Sequence, residues 1–198
     1  MSHSPQLILA STSPYRAALL ARLGLPFQVE APAVDEVAVP GEDPRDRALR
    51  LAHAKARAIS ERHPAAWVLG SDQVADCDGR IHCKPGDAAN CREQLRASSG
   101  RPVTFQTAVV LRRARLAALH EHLDCTIVQF RQLADDEIAR YVELDRPFDC
   151  AGGFRCEGLG VTLFQSIATR DPSALVGLPL IWVAQALRAA GLDPLRSL

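Results

Sequence analysis

The stretch Leu7-Ile8-Leu9-Ala10-Ser11-Thr12-Ser13-Pro14-Tyr15-Arg16 decides the fold. Its four consecutive apolar residues form the pattern of a strand covered on both faces. Ser13-Pro14 is then a helix start: a hydroxyl that can cap the first N–H groups, and a proline whose missing N–H is not needed at the first helical position. Leu19, Leu20 and Leu23 recur at helical spacing until Gly24 stops the helix. A buried strand feeding a helix through the short loop Ser11 to Ser13 is the opening of an α/β fold.

The same grammar continues outward. Phe27-Gln28-Val29 alternates as a second strand, and Asp43-Pro44 opens a long helix carrying Ala48, Leu51, Ala52, Lys55 and Ile59 to about His63. Trp67-Val68-Leu69 is a third buried strand, expected to end in Gly70-Ser71-Asp72-Gln73 and so to place polar residues at its carboxyl end. Cys77-Asp78-Gly79-Arg80 fits a two-residue hairpin turn, because Asp-Gly accepts the positive φ angles such a turn needs. A helix is expected over Asp87 to Ser98 before Gly100, followed by strands around Val103 to Val109 and Leu119 to Phe130. Asp135 is read as the cap of another helix, and the last helix runs from Pro179 to Ala190. Alternating strands and helices with hairpin-like pairs in the middle predict an α/β protein. Its sheet should be mixed and strongly curved, flanked by helices, with two lobes around a central cleft. One domain over 1–198 is expected, with a seam near 80–90 and again near 150.

Composition narrows the function. The chain has 23 basic and 23 acidic residues and 47% hydrophobic content, which fits a globular enzyme and argues against a long nucleic acid as partner. A small anion can still be held by a local cluster of Arg and Lys. Met1 to Pro5 has no Lys or Arg, and Leu7 to Ala10 is too short for a signal-peptide core. With no run long enough to span a membrane, a cytoplasmic protein is expected. The six cysteines form no C-x-x-C pair, so reduced thiols are expected.

Several segments could carry chemistry. Ser11 to Arg16 joins three hydroxyls to a helix N-terminus with unpaired N–H groups, an anion cradle. An arginine in a first turn meets the positive end of the helix dipole at a cost of ~0.3 to 1 kcal/mol, which a bound anion would offset; a capped helix with a solvated arginine is the plainer reading. Asp35 and Glu36 follow a strand, and Asp72 is expected at the end of another. Such a sparse acidic pair suits magnesium, which takes one or two carboxylates plus water and phosphate oxygens. Taken singly, Asp35 and Glu36 read as loop solubilisers and Asp72 as a turn former. Lys55 and Lys84 become phosphate ligands only if they share a site. The glycine-rich run Cys150 to Gly160 carries Glu157 but lacks both the dinucleotide and the P-loop spacing. His120 and His122 share one strand face near Cys125, but without a second spaced pair an exposed edge strand explains them better than zinc.

Taken in order, seven segments resemble the Maf-like nucleotide pyrophosphatases along nearly the whole chain. They are Leu-Ile-Leu-Ala-Ser-Thr-Ser-Pro-Tyr-Arg at 7–16, Val-Asp-Glu at 34–36, Gly-Ser-Asp-Gln at 70–73, Lys-Pro at 84–85, Cys-Ala-Gly-Gly-Phe at 150–154, Glu-Gly-Leu-Gly at 157–160 and Asp-Pro-Ser-Ala-Leu-Val-Gly-Leu-Pro-Leu at 171–180. Ser-Pro-Tyr-Arg with Gln73 and Glu157 looks like the branch acting on 7-methyl-GTP. The resemblance implies a divalent cation, Mg2+ or Mn2+, held by Glu36 and Asp72. It implies Asp72 as proton acceptor for the attacking water, assisted by Glu36, with Ser11, Arg16, Lys55 and Lys84 on the triphosphate. Tyr15, Gln73 and Glu157 fall where the family chooses the base. The chain departs from the family pattern at Ala17, where a second arginine often stands, and at Cys83, where glycine usually precedes the lysine.

The expected reaction is hydrolysis of the α–β anhydride of 7-methyl-GTP to 7-methyl-GMP and diphosphate. Rival readings are a pyrophosphatase for another modified or pyrimidine nucleotide, dTTP or UTP, and a nucleotide-binding regulator of septum formation. The expected partner is a small nucleoside triphosphate, with no membrane and no long nucleic acid; a homodimer stays open.

Overall fold

A computed structural model describes residues 7–196; the Met1 to Pro5 stretch weighed above lies outside them. In chain order the elements are β1 (Leu7–Ala10), α1 (Pro14–Ala21), β2 (Phe27–Glu30), α2 (Pro44–Ser60), β3 (Trp67–Cys77), β4 (Arg80–His82), α3 (Ala88–Ser98), β5 (Pro102–Arg113), β6 (Ala118–Phe130), α4 (Asp135–Asp145), β7 (Phe164–Ala168) and α5 (Leu180–Ala189), with short 3-10 turns between. The sheet is mixed. Its order is β2-β1-β3-β5-β6-β7, with β4 beside β3; β1 runs parallel to β2 and β3, while β4 pairs antiparallel with β3 and β7 with β6.

Local chemistry accounts for most boundaries. Ser13 caps α1, its side chain accepting from Arg16 N, and Asp43 caps α2 by accepting from Arg45 N; each is followed by proline at the first helical turn. Asp78 and Gly79 both adopt positive φ, 52° and 83°, between the paired residues Cys77 and Arg80. The expected hairpin is therefore present. Asp135 is not the cap of α4. That place is Ala134, whose N–H donates to Glu137 Oε2, so the first-turn glutamate takes the role that sequence reading gave to the aspartate.

The chain forms two compact units. The first comprises the described residues up to Asp72, then Thr107–Asp124 and the residues from Asp171 onward; the second comprises Gln73–Gln106 and Cys125–Arg170. In the first unit β1 is sandwiched. Leu7 and Leu9 join a cluster with Leu19 and Leu20 of α1 and with Val183 and Leu187 of α5, whereas Ile8 and Ala10 join Val68 and Ile59 of α2. Burying a leucine contributes about 1.5–3 kcal/mol, so a one-residue slip of β1, which would exchange the two sets, is strongly disfavoured. The continuous apolar run thus has a helix layer on either side, as its pattern requires.

The second unit holds β4, α3, α4, β7 and portions of β3, β5 and β6. Its core is aromatic: Phe154 packs edge-on against Phe105, Phe130 and Phe164, with ring centres 5.4, 5.7 and 4.8 Å away. Tyr141 ties the glycine-rich run to α4, donating to Asp145 Oδ2 at 2.8 Å and accepting from Arg155 N at 3.0 Å.

Candidate active site

The site in the first unit is built from the strand β3 outward. Gly70 and Asp72 lie on the face that meets α2, since alternate strand residues share a face. Gly70 has no side chain because there is no room for one: a Cβ there would stand 2.6 Å from both Ala52 O and Ala56 N of α2. The helix lies directly on the strand, and Lys55 reaches Asp72. Lys55 Nζ donates to Asp72 Oδ1 at 2.6 Å and pairs with Glu36 Oε1 at 2.7 Å. Lys55 and Asp72 are both buried, each 6% exposed, while Glu36 is exposed. One cation therefore joins a buried and a solvent-facing carboxylate.

Glu36 arrives on a loop clamped to α2. Arg47 Nη2 donates to Glu36 O, and Arg50 Nη2 to Val37 O, both at 3.3 Å; Arg50 also forks onto Glu42 at 2.5 and 2.7 Å. Val37 N donates to Asp35 Oδ1 at 3.2 Å. The two neighbouring acids thus divide their work: Asp35 shapes the turn and Glu36 meets the lysine. Nothing in the Val-Asp-Glu triplet alone separates them, but the arginines three residues apart on α2 were a readable sign of a clamped loop.

The strand-to-helix loop supplies the rest. Ser11 is buried, its N–H donating to Glu30 O and its Oγ accepting from Ser13 N at 3.0 Å. Arg16, in the first turn of α1, is held by its Nε, which donates to Gly177 O at 2.9 Å. Burial pushes the Arg16 guanidinium below its ordinary value, while the charges of Asp72 and Glu36 pull it back up. Arg16 therefore lies within the field of both acids.

Ser11, Arg16, Glu36, Lys55 and Asp72 all belong to the first unit, and its geometry links the last three directly. Tyr15 precedes Arg16 on α1 and is half-buried. Gln73 continues β3 from Asp72 as the first residue of the second unit, half-buried. Lys84 and Glu157 are exposed residues of that unit; Glu157 Oε2 accepts from Cys156 Sγ at 3.2 Å.

Gly70-Ser71-Asp72-Gln73 does not end the strand, which continues to Cys77. The polar run stays in the sheet because its groups are satisfied where they stand: Ser71 Oγ faces Ala108 O at 2.8 Å and Gly177 O at 3.0 Å, and Asp72 meets Lys55. Sequence reading missed Ser71 and Gly177 as parts of the site. Their signal was a polar residue inside an apolar strand and a glycine inside Asp171 to Leu180. His120 and His122 are engaged otherwise: His120 lies 6.0 Å from the Trp67 ring centre, and His122 stacks on Trp182 at 5.5 Å.

The chain is similar to known proteins along nearly its whole length. The chain is 56% identical to a 7-methyl-GTP pyrophosphatase of Xanthomonas campestris pv. campestris (strain 8004) over 187 residues, 94% of this chain and 97% of that protein. It is 51% identical to a 7-methyl-GTP pyrophosphatase of Aromatoleum aromaticum (strain DSM 19018 / LMG 30748 / EbN1) over 187 residues, 94% and 96% of the two chains. Among solved structures it resembles the Staphylococcus aureus Ham1 protein in fold, with a TM-score of 0.52 at 14% identity, covering 94% of this chain and 99% of that one. The family model described as Maf-like protein matches residues 6–190, and with relatives at this identity along almost its full length the chain belongs to the Maf-like family.

Proposed function

We propose that the protein is a divalent-metal-dependent nucleoside triphosphate pyrophosphatase that hydrolyses 7-methyl-GTP to 7-methyl-GMP and diphosphate. The observation that carries this reading is the convergence of Glu36 and Asp72 on one cationic nitrogen, 2.7 and 2.6 Å away, in a chain whose relatives bear that activity in their names.

Two carboxylates brought this close suit a hard divalent cation that keeps water and phosphate oxygens among its ligands. Glu36 and Asp72 would hold it. Such an ion neutralises charge on the phosphates and lowers the pKa of bound water.

The remaining roles follow from the chain's own groups. Water attacks the α-phosphorus; the new O–P bond forms as the bond to the bridging oxygen breaks, and diphosphate leaves. Asp72 accepts the proton of that water. Lys55, bonded to Oδ1, orients the carboxylate so that Oδ2 takes it. Arg16 and Lys55 bring fixed positive charge to the triphosphate, where charge builds as the anhydride breaks. Ser11 and the α1 N-terminus offer neutral donors, and the resemblance to the Maf-like family gives Lys84 a phosphate-binding role. The same resemblance gives Tyr15, Gln73 and Glu157 the choice of base, and the Glu157 carboxylate can accept from N1 and the amino group of guanine.

The test is diphosphate release from 7-methyl-GTP with Mg2+ or Mn2+, set beside dTTP, UTP and GTP. Turnover should favour 7-methyl-GTP, need the metal, and fall by about 10²–10⁴-fold in Asp72→Asn, the usual contribution of a positioned base. Undiminished turnover in Asp72→Asn overturns the assignment.

A further inference from the structure

The segment from Asp171 to Ile181 is stitched to itself by side chains that no role above has used. Asp171, 5% exposed, accepts through Oδ1 from Ser173 N at 2.9 Å and Ser173 Oγ at 2.5 Å, and through Oδ2 from Ile181 N at 2.7 Å. Ser173 Oγ in turn accepts from Leu180 N at 2.8 Å. The first amides of α5 are therefore capped from the far end of the loop, although Pro179, the residue at the N-cap, makes no side-chain cap bond. Leu178, wholly buried, and Leu180 anchor the returning chain in the core between β1, α1 and α5. Thr107 Oγ1 adds a bond to Ala174 O at 3.1 Å.

What this frame holds in place is one carbonyl. Gly177 sits at φ 116°, ψ 9°, and its oxygen accepts from both Arg16 Nε at 2.9 Å and Ser71 Oγ at 3.0 Å. A Cβ at Gly177 would lie 3.2 Å from Arg16 Nε and 3.6 Å from its Cγ. The position thus requires glycine twice, for its backbone angle and for the approach of the arginine. A guanidinium is a rigid planar fork, so committing Nε to a fixed carbonyl sets the plane in which its two terminal nitrogens lie.

We propose that Gly177 is a positioning residue for Arg16, and that the Asp171–Ser173 clamp exists to hold its carbonyl at the angle that presents the arginine's terminal nitrogens to the triphosphate. The proposal rests on the reading of Arg16 as a phosphate ligand. It adds that the ligand is aimed from 161 residues away in the chain.

A double-mutant cycle tests it, because coupling between contacting residues appears as non-additivity. Gly177→Ala is measured in the wild-type protein and in Arg16→Lys, which has no Nε, with kcat and KM for 7-methyl-GTP, calorimetric binding of inorganic tripolyphosphate, and melting temperature recorded together. In the wild-type background Gly177→Ala should weaken tripolyphosphate binding and lower kcat/KM for 7-methyl-GTP about tenfold each, the scale of one charge-assisted hydrogen bond. In Arg16→Lys it should add less than about twofold. Equal loss in both backgrounds would mean that the loop acts only through general stability, and would overturn the proposal. If Gly177→Ala does not fold, Asp171→Asn, which turns an acceptor on Ile181 N into a donor, is put through the same cycle with the same criteria. Tripolyphosphate binding separates the two readings. A protein that binds it through Arg16 but releases no diphosphate from 7-methyl-GTP defeats the proposed activity alone; binding unaffected by Arg16→Lys defeats the positioning role.

Discussion

Lys55 and Asp72 touch because nothing stands between their backbones at the preceding strand position. Gly70 and Asp72 share one face of β3, and α2 rests on the bare Cα of Gly70, with Ala52 O and Ala56 N each 2.6 Å from where a Cβ would be. Lys55, between those two residues, then spans to the next side chain on that face and donates to it at 2.6 Å. Helix packing and site chemistry are here the same contact.

Gly70→Ala should therefore damage both. The obstacles to a new methyl are backbone atoms, which cannot rotate aside, so α2 must shift. Overpacking of this kind costs about 1–3 kcal/mol, and the shift withdraws Lys55 from Asp72. We expect a lower denaturation midpoint in urea together with reduced diphosphate release. A variant with wild-type stability and turnover would show that α2 is free to move and that the contact is incidental.

Lys55→Met and Asp72→Asn should separate stability from chemistry. Removing the ammonium leaves the Asp72 carboxylate buried without its cation, and breaking a buried pair in this way costs about 3–5 kcal/mol. Asp72→Asn keeps the shape and leaves Lys55 with Glu36 at 2.7 Å, so its folding penalty should be the smaller. Its turnover loss, in contrast, should be large, because an amide cannot accept the proton. Thermal unfolding and diphosphate release on the same preparations give both comparisons; equal destabilisation by the two substitutions would contradict the assignment of Lys55 as the buried partner.

Most local signals in the sequence were read correctly; the cap of α4, which falls to Ala134 and Glu137 and not to Asp135, is the exception. Leu7 to Ala10, Ser13-Pro14, Asp43-Pro44 and Asp78-Gly79 each carry their own reason for strand, cap or turn, and each stands where expected. Other misses are places where a distant partner decides. β3 runs through Ser71 and Asp72 because Ala108, Gly177 and Lys55 satisfy them, and no pattern in 67–77 reveals those partners. β7 escaped because its residues are mostly exposed, with no buried alternation to mark them. The link from Arg16 to Gly177 is a backbone carbonyl, an atom every residue has, so only the glycine hinted at it. The contact of Lys55 with Glu36 and Asp72 joins charged residues that the sequence had singled out, whereas the frame that holds Arg16 was not legible.

His82 predicts an acid-side loss of stability. It is 2% exposed, and neither ring nitrogen has a hydrogen-bond partner among the described residues. Burial pushes its imidazole below the ordinary value, the positive charge of Arg80 lowers it further, and Asp76 partly opposes them. The unfolded chain then binds a proton below about pH 6.5 that the folded chain does not. The contribution is complete above that pH and is lost as pH falls toward the folded value, at up to about 1.4 kcal/mol per pH unit. Urea unfolding between pH 8 and pH 5 should show this slope in the wild type and less of it in His82→Phe, which removes both nitrogens. An unchanged slope in the variant would assign the acid sensitivity to other groups.

Tyr15 offers the sharpest test of base choice. It occupies the first turn of α1 beside Arg16 and is half-buried, so part of the residue stays open to solvent. Methylation at N7 gives guanine a positive charge, and a cation over an aromatic face gains ~0.5–2 kcal/mol. By the free-energy scale of affinity this corresponds to about a twofold to thirtyfold preference for 7-methyl-GTP over GTP. Tyr15→Ala should erase that preference, lowering kcat/KM for the methylated substrate more than for the plain one, and Tyr15→Phe should keep it because the ring face survives. Measured loss that is equal on both nucleotides would reduce Tyr15 to a packing residue and move discrimination to Gln73 and Glu157, whose substitution would then have to change the ratio instead.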